Sequence, residues 1–151
     1  MNVSNEAKTV GYLVAVIEGE VFETNDVYLD NWGYITAGGQ RKDSGKSTYI
    51  EIPRSTRPGT YNIGGIRKAL YNHGDRKGTW YAESGTITVD VIEMEREHHI
   101  KYKFDFVAVE PQPGGRRFRL SGAAELKGLW NENKKTNTLD VSGEERFKLH
   151  Y

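Results

Sequence analysis

Two stretches of this sequence alternate strictly between apolar and polar residues, and that alternation constrains the fold more than any other feature. They are residues 85–92 and 99–106. The apolar faces carry Ile87, Val89 and Val91 in the first stretch, and Ile100, Tyr102, Phe104 and Phe106 in the second. A period of two over this length is typical of a half-buried β-strand and does not fit a helix. We therefore expect an antiparallel hairpin, joined by the charged loop at 93–97.

The rest of the chain continues this pattern. A third alternating segment, residues 118–126, follows a Pro-Gly-Gly turn and extends the hairpin into a three-strand meander. Earlier aromatic and β-branched segments are separated by glycine-rich turns, with a bulge or bend at Gly33. Residues 66–71 are the one place where the pattern leaves room for a helical turn. In all, about eight or nine short strands are predicted.

We predict an all-β, single-domain antiparallel β-sandwich, because the strands vary in length and the loops between them are uneven. The alternative is a closed or partly open β-barrel, calycin-like in form, since both architectures require one-sided alternation. A chain of 151 residues has the usual size of one domain. We assign residues 1–9 to a loosely held N-terminus, 10–127 to the β domain and 128–151 to a C-terminal extension with at most one edge strand.

Charge and composition exclude several classes of protein. The 21 basic residues equal the 21 acidic ones, without the basic excess that nucleic-acid binding normally shows. Cysteine is absent, which excludes disulfides and thiolate metal sites. The chain lacks an apolar run near the roughly 18 residues of a membrane-spanning helix. Its polar start lacks a basic leader, so we expect a soluble cytoplasmic protein as written, or a periplasmic or envelope protein if a leader was removed.

Several short motifs follow one another in a fixed order. They are Gly19 with Phe22, Gly59-Thr60-Tyr61, Ala69-Leu70-Tyr71, Ser84-Gly85-Thr86-Ile87-Thr88-Val89 and Phe104-Asp105-Phe106. This order, over about residues 12–127, resembles small uncharacterised β-sandwich domains of bacterial envelope proteins, often lipoproteins of Bacteroidetes. The resemblance implies a β fold and a bacterial origin. It implies no chemistry, because that family has no established activity.

The segment Gly78-Thr79-Trp80-Tyr81 is similar to the G-x-W-Y motif of lipocalins and avidins. In those barrels the motif lies on the first strand, whereas here it follows more than half of the chain. The resemblance implies a barrel with an internal ligand cavity, in which Trp80 and Tyr81 would contact the ligand. The simpler interpretation is that Trp80 plugs one end of a β core.

The histidines do not form a recognisable catalytic or metal site. His98 and His99 are neighbours, and neighbours in a strand point to opposite faces, so they do not share one ion with the glutamates at 93–97. His73 and Asp75 could orient one another, but no nucleophile elbow accompanies them. We therefore predict no catalytic residue, no metal and no cofactor. A hydrolase or lyase would require His73 or His99 to meet a carboxylate.

Two groups of side chains are candidates for contact with a ligand or partner. Tyr28, Trp32 and Tyr34 alternate evenly and would share one face of one strand. We favour burial of that face in the core; if it is exposed, it is a platform for a sugar or a protein. A second group, Arg116, Arg117 and Arg119, would contact a phosphate or a carboxylate, or else protect a strand edge from aggregation.

These patterns favour a non-enzymatic binding or protein-interaction module of bacterial origin, with an immunity or inhibitor protein as one subtype. The partner would be another protein, with a small ligand or a glycan left open and nucleic acid excluded. The first alternative is a carrier of small hydrophobic ligands with a cavity inside a β-barrel. The second is a hydrolase or lyase on a β scaffold. The sequence leaves the oligomeric state open.

Overall fold

The computed structural model describes residues 8–74 and 78–130, which form ten β-strands. They are β1 (Val10–Ile17), β2 (Glu20–Thr24), β3 (Val27–Trp32), β4 (Tyr34–Gln40), β5 (Ser47–Pro53), β6 (Gly59–Asn62), β7 (Lys68–Asn72), β8 (Thr79–Glu93), β9 (His99–Val109) and β10 (Arg117–Lys127). These residues contain no helix that is long and apolar enough to cross a membrane. The predicted all-β class is confirmed. Most of both predicted termini, 1–7 and 131–151, lies outside the described residues.

All ten strands belong to one antiparallel sheet with the order β2-β1-β10-β9-β8-β7-β5-β4-β3, and β6 pairs with β8 off this path. The predicted meander is confirmed as β8, β9 and β10. The count is ten because the segment around Gly33 forms two strands, β3 and β4, and Lys68–Asn72 adds β7. The helical turn considered at 66–71 is wrong: Lys68–Asn72 is a strand, since it pairs with β5 on one side and β8 on the other.

The sheet curls until its two edges almost meet. β2 and β3 stand at opposite ends of the strand order, yet only Asn25 and Asp26 separate them in the chain. The backbone N–H of Leu29 on β3 donates to Thr9 Oγ1, just before β1, at 3.0 Å. The Leu29 carbonyl accepts from the Trp130 N–H, just after β10, at 2.9 Å. The architecture is therefore a nearly closed barrel, which corresponds to the partly open barrel named as the alternative.

Large apolar side chains fill the interior of the barrel. Alternate residues of β9 point inward, as the period-two pattern predicts, and Ile100, Tyr102 and Phe106 are buried. Trp80 and Tyr71 add two of the largest fully buried side chains. Burial of each side chain of this size stabilises the fold by about 1.5–3 kcal/mol. The interior is thus a packed core, and polar side chains of the same strands point outward.

Candidate functional site

The three aromatic residues at 28–34 lie on the outside of the barrel. Gly33 adopts a φ of 92° and ends β3, so Tyr28 and Trp32 belong to β3 whereas Tyr34 opens β4. Trp32 and Tyr34 are directly paired across the two strands, so all three side chains still share one face. That face is exposed: Trp32 retains 37% of its accessible surface and Tyr34 47%. The preference for a buried position was wrong, and so was the single strand.

On the same outer face, the small residues of β4 lie between larger side chains of β3 and β5. Gly38 is paired with Tyr28 on β3 and with Tyr49 on β5. The two tyrosine rings meet edge to face, with centroids 6.0 Å apart and an interplanar angle of 88°. A Cβ at Gly38 would lie 2.2 Å from the Thr48 carbonyl oxygen and 2.4 Å from Tyr49 Cδ1, so only glycine fits there. The tyrosine pair and the glycine therefore form one packed unit.

The side chains of this face enclose an open cavity of about 360 Å3, within the usual range for ligand sites. We call it the outer trough. Its lining residues are Tyr28, Asp30, Trp32, Tyr34, Thr36, Tyr49, Glu51 and Leu70. Asp30 and Glu51 stand on either side of Thr36 in one cross-strand row. The outer trough thus has carboxylates in its middle row and aromatic rings in the rows above and below.

The charge of the outer trough comes from its carboxylates. The Tyr28 hydroxyl donates to Asp30 Oδ2 at 2.9 Å. Burial, followed by the nearby Asp30 charge, raises the pKa of Tyr28 well above its ordinary value, and burial likewise raises the pKa of Tyr49. Both phenols are therefore neutral at physiological pH. The ring of Trp130 packs against the ring of Tyr28, with the two centroids 6.0 Å apart, and so supports this side of the trough.

Trp80 belongs to a different, closed cluster. Its side chain has 0% exposure, and its ring lies against Tyr71, His73 and Phe118 at centroid distances of 5.4, 5.4 and 4.9 Å. The Arg116 guanidinium lies over the same ring at 5.2 Å. We call these five residues the Trp80 cluster. Trp80 thus offers no surface to a ligand on the outside of the barrel, and its contact with an internal ligand stays a prediction.

Tyr81 points the other way and lies near the outer trough. It is paired with Leu70 of the trough lining, so the row of Tyr28, Gly38, Tyr49 and Leu70 continues into its side chain. Tyr81 is 57% exposed. The structure therefore brings four predicted contact residues to one side of the barrel: Tyr28, Trp32, Tyr34 and Tyr81.

Each predicted arginine is engaged by a carboxylate of the same chain. Arg116 Nε donates to Glu110 Oε1 at 2.9 Å, and the Glu110 side chain is only 2% exposed. On the outer surface, Arg117 pairs with Glu83 at 3.0 Å and Arg119 with Asp105 at 2.8 Å. The Arg119 guanidinium lowers the pKa of Asp105 below its ordinary value. Arg117 and Arg119 thus link β10 to β8 and β9, Arg116 closes the loop between β9 and β10, and each has its own carboxylate partner.

The glutamates and histidines at the β8–β9 hairpin also act within the fold. Glu93 accepts hydrogen bonds from the backbone N–H groups of residues 95, 96 and 97, and these bonds lower its pKa. His99 Nε2 lies 2.8 Å from Glu125 Oε2. The described residues contain no group of three or more side chains that could hold a metal ion. Glu93 is thus a turn cap, and His99 a cross-strand partner.

The histidine pairs bear on the enzyme alternative. The contact between His99 and Glu125 meets the criterion of a histidine beside a carboxylate. His99, followed by Lys101 and Lys127, lowers the pKa of Glu125 below its ordinary value. His73 Nδ1 lies 2.6 Å from the Tyr71 hydroxyl, and Asp75 falls outside the described residues. The pair at His99 therefore links β9 to β10.

Sequence interpretation found three of the eight residues that line the outer trough and missed five. Tyr49, Glu51 and Leu70 come from β5 and β7, which are far from β3 in the chain. One signal was present: Tyr49 and Glu51 alternate with the buried Ile50 and Ile52, so they had to share the outer face. Their position beside Tyr28 and Asp30 depends on how β3, β4 and β5 pair, and the register of strand pairing cannot be read from the sequence.

Comparison with family models, with curated proteins and with solved structures finds no match for this chain. The resemblances to bacterial envelope domains and to lipocalins therefore stay predictions. The fold and the site define the chain as a nearly closed antiparallel β-barrel with an aromatic and acidic trough on its outer surface.

Proposed function

We propose that this protein is a non-enzymatic interaction module that binds another protein through the outer trough. The observation that supports this proposal is the exposure of Trp32 and Tyr34 beside a preformed cavity. Tyrosine and tryptophan are the residues that most often dominate the binding energy of protein interfaces. A folded chain that leaves these rings in water forgoes the gain from burying them, and a partner that covers the trough recovers it.

The trough is rigid enough to select a partner. Gly38 lets Tyr28 and Tyr49 close over the β4 backbone, and the Tyr28 hydroxyl fixes Asp30. Side chains that are held in place before binding lose little conformational entropy when a partner arrives. The open shape also suits a protein segment lying along β4. An immunity or inhibitor protein of a bacterium is one form that such a module takes.

The packed interior favours this proposal over a carrier of hydrophobic ligands. Trp80, Tyr71, Tyr102 and Phe106 fill inward positions, where a carrier would need a cavity of several hundred Å3. The pair of His99 and Glu125 is the observation nearest to a hydrolase or lyase. It lacks a nucleophile among its hydrogen-bond partners in the described part of the chain, so the enzyme alternative ranks below binding.

A peptide library displayed on phage tests the proposal. The full chain is immobilised, and the selected clones are then compared on wild type, on the double variant Trp32→Ala/Tyr34→Ala and on Val21→Ala. Val21 is an exposed apolar residue of β2 outside the trough, so its variant is the matched control. We expect clones that bind wild type and the control but lose about tenfold or more on the double variant, because truncating an interface anchor costs about 2 kcal/mol. If every clone binds all three proteins equally, the outer trough is not the binding surface.

A further inference from the structure

We propose that the outer face of β1 is a contact surface between two copies of this chain, related by a two-fold axis that runs along the strands. The proposal goes beyond the binding function of the outer trough, because the described residues that line the trough include none from β1. Two features carry it. One is an exposed apolar stripe on β1, and the other is a cross-strand row whose two ends have opposite charge.

The outward positions of β1 are apolar, although they face water. Leu13, Ala15 and Ile17 point into the core, so the residues that alternate with them point outward. These are Val10, Tyr12, Val14 and Val16, and each retains between 40% and 56% of its accessible surface. We call these four residues the β1 stripe. On β9, by contrast, the outward positions include Lys101 and Lys103. A continuous exposed apolar patch of this kind marks a contact surface.

One cross-strand row passes through the middle of the β1 stripe. It runs over β2, β1, β10 and β9 and consists of Glu23, Val14, Ala123 and Lys103. Residues that are directly paired share a face of the sheet, so all four point outward with Val14. A two-fold axis between Val14 and Ala123, parallel to the strands, reverses the row in the second copy. Glu23 then faces Lys103 of the second copy, and Val14 faces its Ala123. The row is therefore complementary to itself.

The basic end of the row has no acidic partner in its own chain. Three strand spacings separate Lys103 from Glu23, which places the two residues about 14 Å apart. Lys103 forms no ion pair with any other described residue. Its direct cross-strand neighbours are an alanine and a threonine. Two residues away on β9 are Lys101 and Asp105, and Asp105 is bound by Arg119 at 2.8 Å. Lys103 is thus exposed and available to a carboxylate of a second copy.

The surroundings of the acidic end are mixed in charge, with acidic groups in excess. The groove beside β2 is lined by three acidic and two basic side chains, which are Glu23, Asp26, Asp43, Arg41 and Lys42. Arg41 attracts the Glu23 carboxylate. Its hydrogen bonds, however, go to Asp43 and to the backbone carbonyl of Glu23, and none of them reaches the Glu23 carboxylate. This carboxylate therefore keeps its hydrogen-bonding capacity for Lys103 of a second copy.

The size of the surface indicates a weak dimer. The β1 stripe is about 20 Å long from Val10 to Val16, and the four strands of the row span about 14 Å. The outer faces of two barrels curve away from one another, so the contact is confined to these strands. A patch of this size is smaller than the roughly 800 Å2 that each partner buries in a standard interface. We expect a dissociation constant on the order of 10–100 μM. The dimer presents two outer troughs, which strengthens binding to a partner that has two matching segments.

Two charge-reversed variants of the full chain test the row. Glu23→Lys makes both ends basic and Lys103→Glu makes both ends acidic, so each variant repels its own copy. An equimolar mixture restores both ion pairs, because every reversed end then faces the opposite charge. Sedimentation equilibrium measures the dimer affinity. We expect each variant alone to lose about tenfold or more relative to wild type, and the mixture to return to within about threefold of it. Asp90→Lys reverses an exposed charge of β8 outside the row and should leave the affinity unchanged.

A third variant tests the apolar stripe. Val14→Lys places the ammonium groups of two copies beside the axis, and we expect it to weaken the dimer by more than about tenfold. The control is Val91→Lys, the same change at an exposed valine of β8, outside the four strands of the row. It should dimerise like wild type, and circular dichroism checks that both variants are folded. Val14→Lys should still bind the peptides selected on the outer trough, since Val14 is not part of the trough lining.

Three results overturn the proposal. If wild type stays monomeric up to about 1 mM, a second copy does not cover the β1 stripe. If the mixture of Glu23→Lys and Lys103→Glu dimerises no better than either variant alone, the two rows do not face each other. If wild type stays monomeric and sediments with phosphatidylcholine vesicles while Val14→Lys does not, the stripe contacts a lipid surface. None of these results touches the outer trough, whose own test depends on Trp32 and Tyr34.

Discussion

The Trp80 cluster and the outer trough contain nearly the same kinds of side chain, yet they differ in what closes them. Each has a tryptophan and a tyrosine, and a carboxylate lies at each: Glu110 pairs with Arg116 of the Trp80 cluster, whereas Asp30 and Glu51 line the outer trough. In the Trp80 cluster the arginine that caps the ring comes from the same chain, and its partner Glu110 is 2% exposed. In the outer trough Trp32 remains 37% exposed, and the neighbouring strand places Lys68 opposite Glu51 of the lining.

The difference shows that composition does not separate a structural cluster from a binding site. An aromatic ring that its own chain covers, as Trp80 is covered, contributes to folding, because its apolar surface is already removed from water. A ring that stays partly exposed keeps apolar area that another molecule can cover. The comparison therefore predicts that substitutions in the Trp80 cluster lower stability, whereas substitutions in the outer trough lower binding.

Trp80→Ala should have the largest effect on stability. Truncating a fully buried tryptophan costs about 3–5 kcal/mol through lost burial and a residual cavity. Trp32→Ala, on the exposed side, should change the free energy of unfolding by about 1 kcal/mol or less. Urea denaturation followed by tyrosine fluorescence or circular dichroism measures both. Equal losses in the two variants would break the comparison, since the trough would then be part of the core.

Arg116→Ala should come next, because it removes at least two hydrogen bonds from a buried carboxylate. Breaking a buried pair costs about 3–5 kcal/mol, and the half-exposed guanidinium reduces our expectation to about 2–3 kcal/mol. The double variant Arg116→Ala/Glu110→Gln leaves no charge behind. In urea denaturation, the double variant should recover part of the lost free energy of unfolding. A double variant that is less stable than Arg116→Ala would show that the unpaired charge of Glu110 does not cause the loss.

Gly38→Ala, in the outer trough, should lower both stability and binding, with a smaller effect on stability than the two variants above. The new methyl group would meet the Thr48 carbonyl and the Tyr49 ring at the distances given above, so the floor of the trough has to shift. Overpacking of this kind costs about 1–3 kcal/mol. Because Tyr49 moves with the floor, we also expect weaker binding of the selected peptides. Retained affinity would mean that the tyrosine pair does not shape the site.

The sequence predicted the parts of this molecule that depend on local alternation. Ile100, Tyr102 and Phe106 follow a period of two, and the structure buries them together on β9. The same parity correctly placed Tyr28, Trp32 and Tyr34 on one face. Alternation within one strand does not tell which face is wet, because that depends on how the sheet curls. In this sheet the curl includes the turn at Gly33 and the hydrogen bonds that Leu29 of β3 makes with Thr9 and Trp130.

The sequence could not predict the neighbours across strands. Tyr49 faces Tyr28 only because β5 and β3 both pair with β4 in a register that Gly38 permits. The three arginines suggested an anion site for a similar reason, since their carboxylate partners lie up to 34 residues away in sequence. Pairing over such separations depends on the whole sheet, and one sequence does not contain that information in any local pattern.

The smallest predicted effect concerns pH and follows from the carboxylates that the fold has already engaged. Arg119 lowers the pKa of Asp105 below its ordinary value of 3.8, because its guanidinium bonds the charged form. The folded state therefore binds this proton less readily than the unfolded chain. The stabilisation is present above about pH 4 and is lost as the pH falls through the lower folded value.

Asp105→Asn should accordingly flatten the acid side of the stability curve between about pH 5 and pH 2, measured as urea midpoints across this range. Glu51→Gln is the matched control, because Glu51 faces the trough without an ion pair to any described residue. Its curve should keep the wild-type slope. A flattened curve for Glu51→Gln would place this carboxylate, which is paired across the strands with Lys68, among the groups that stabilise the fold.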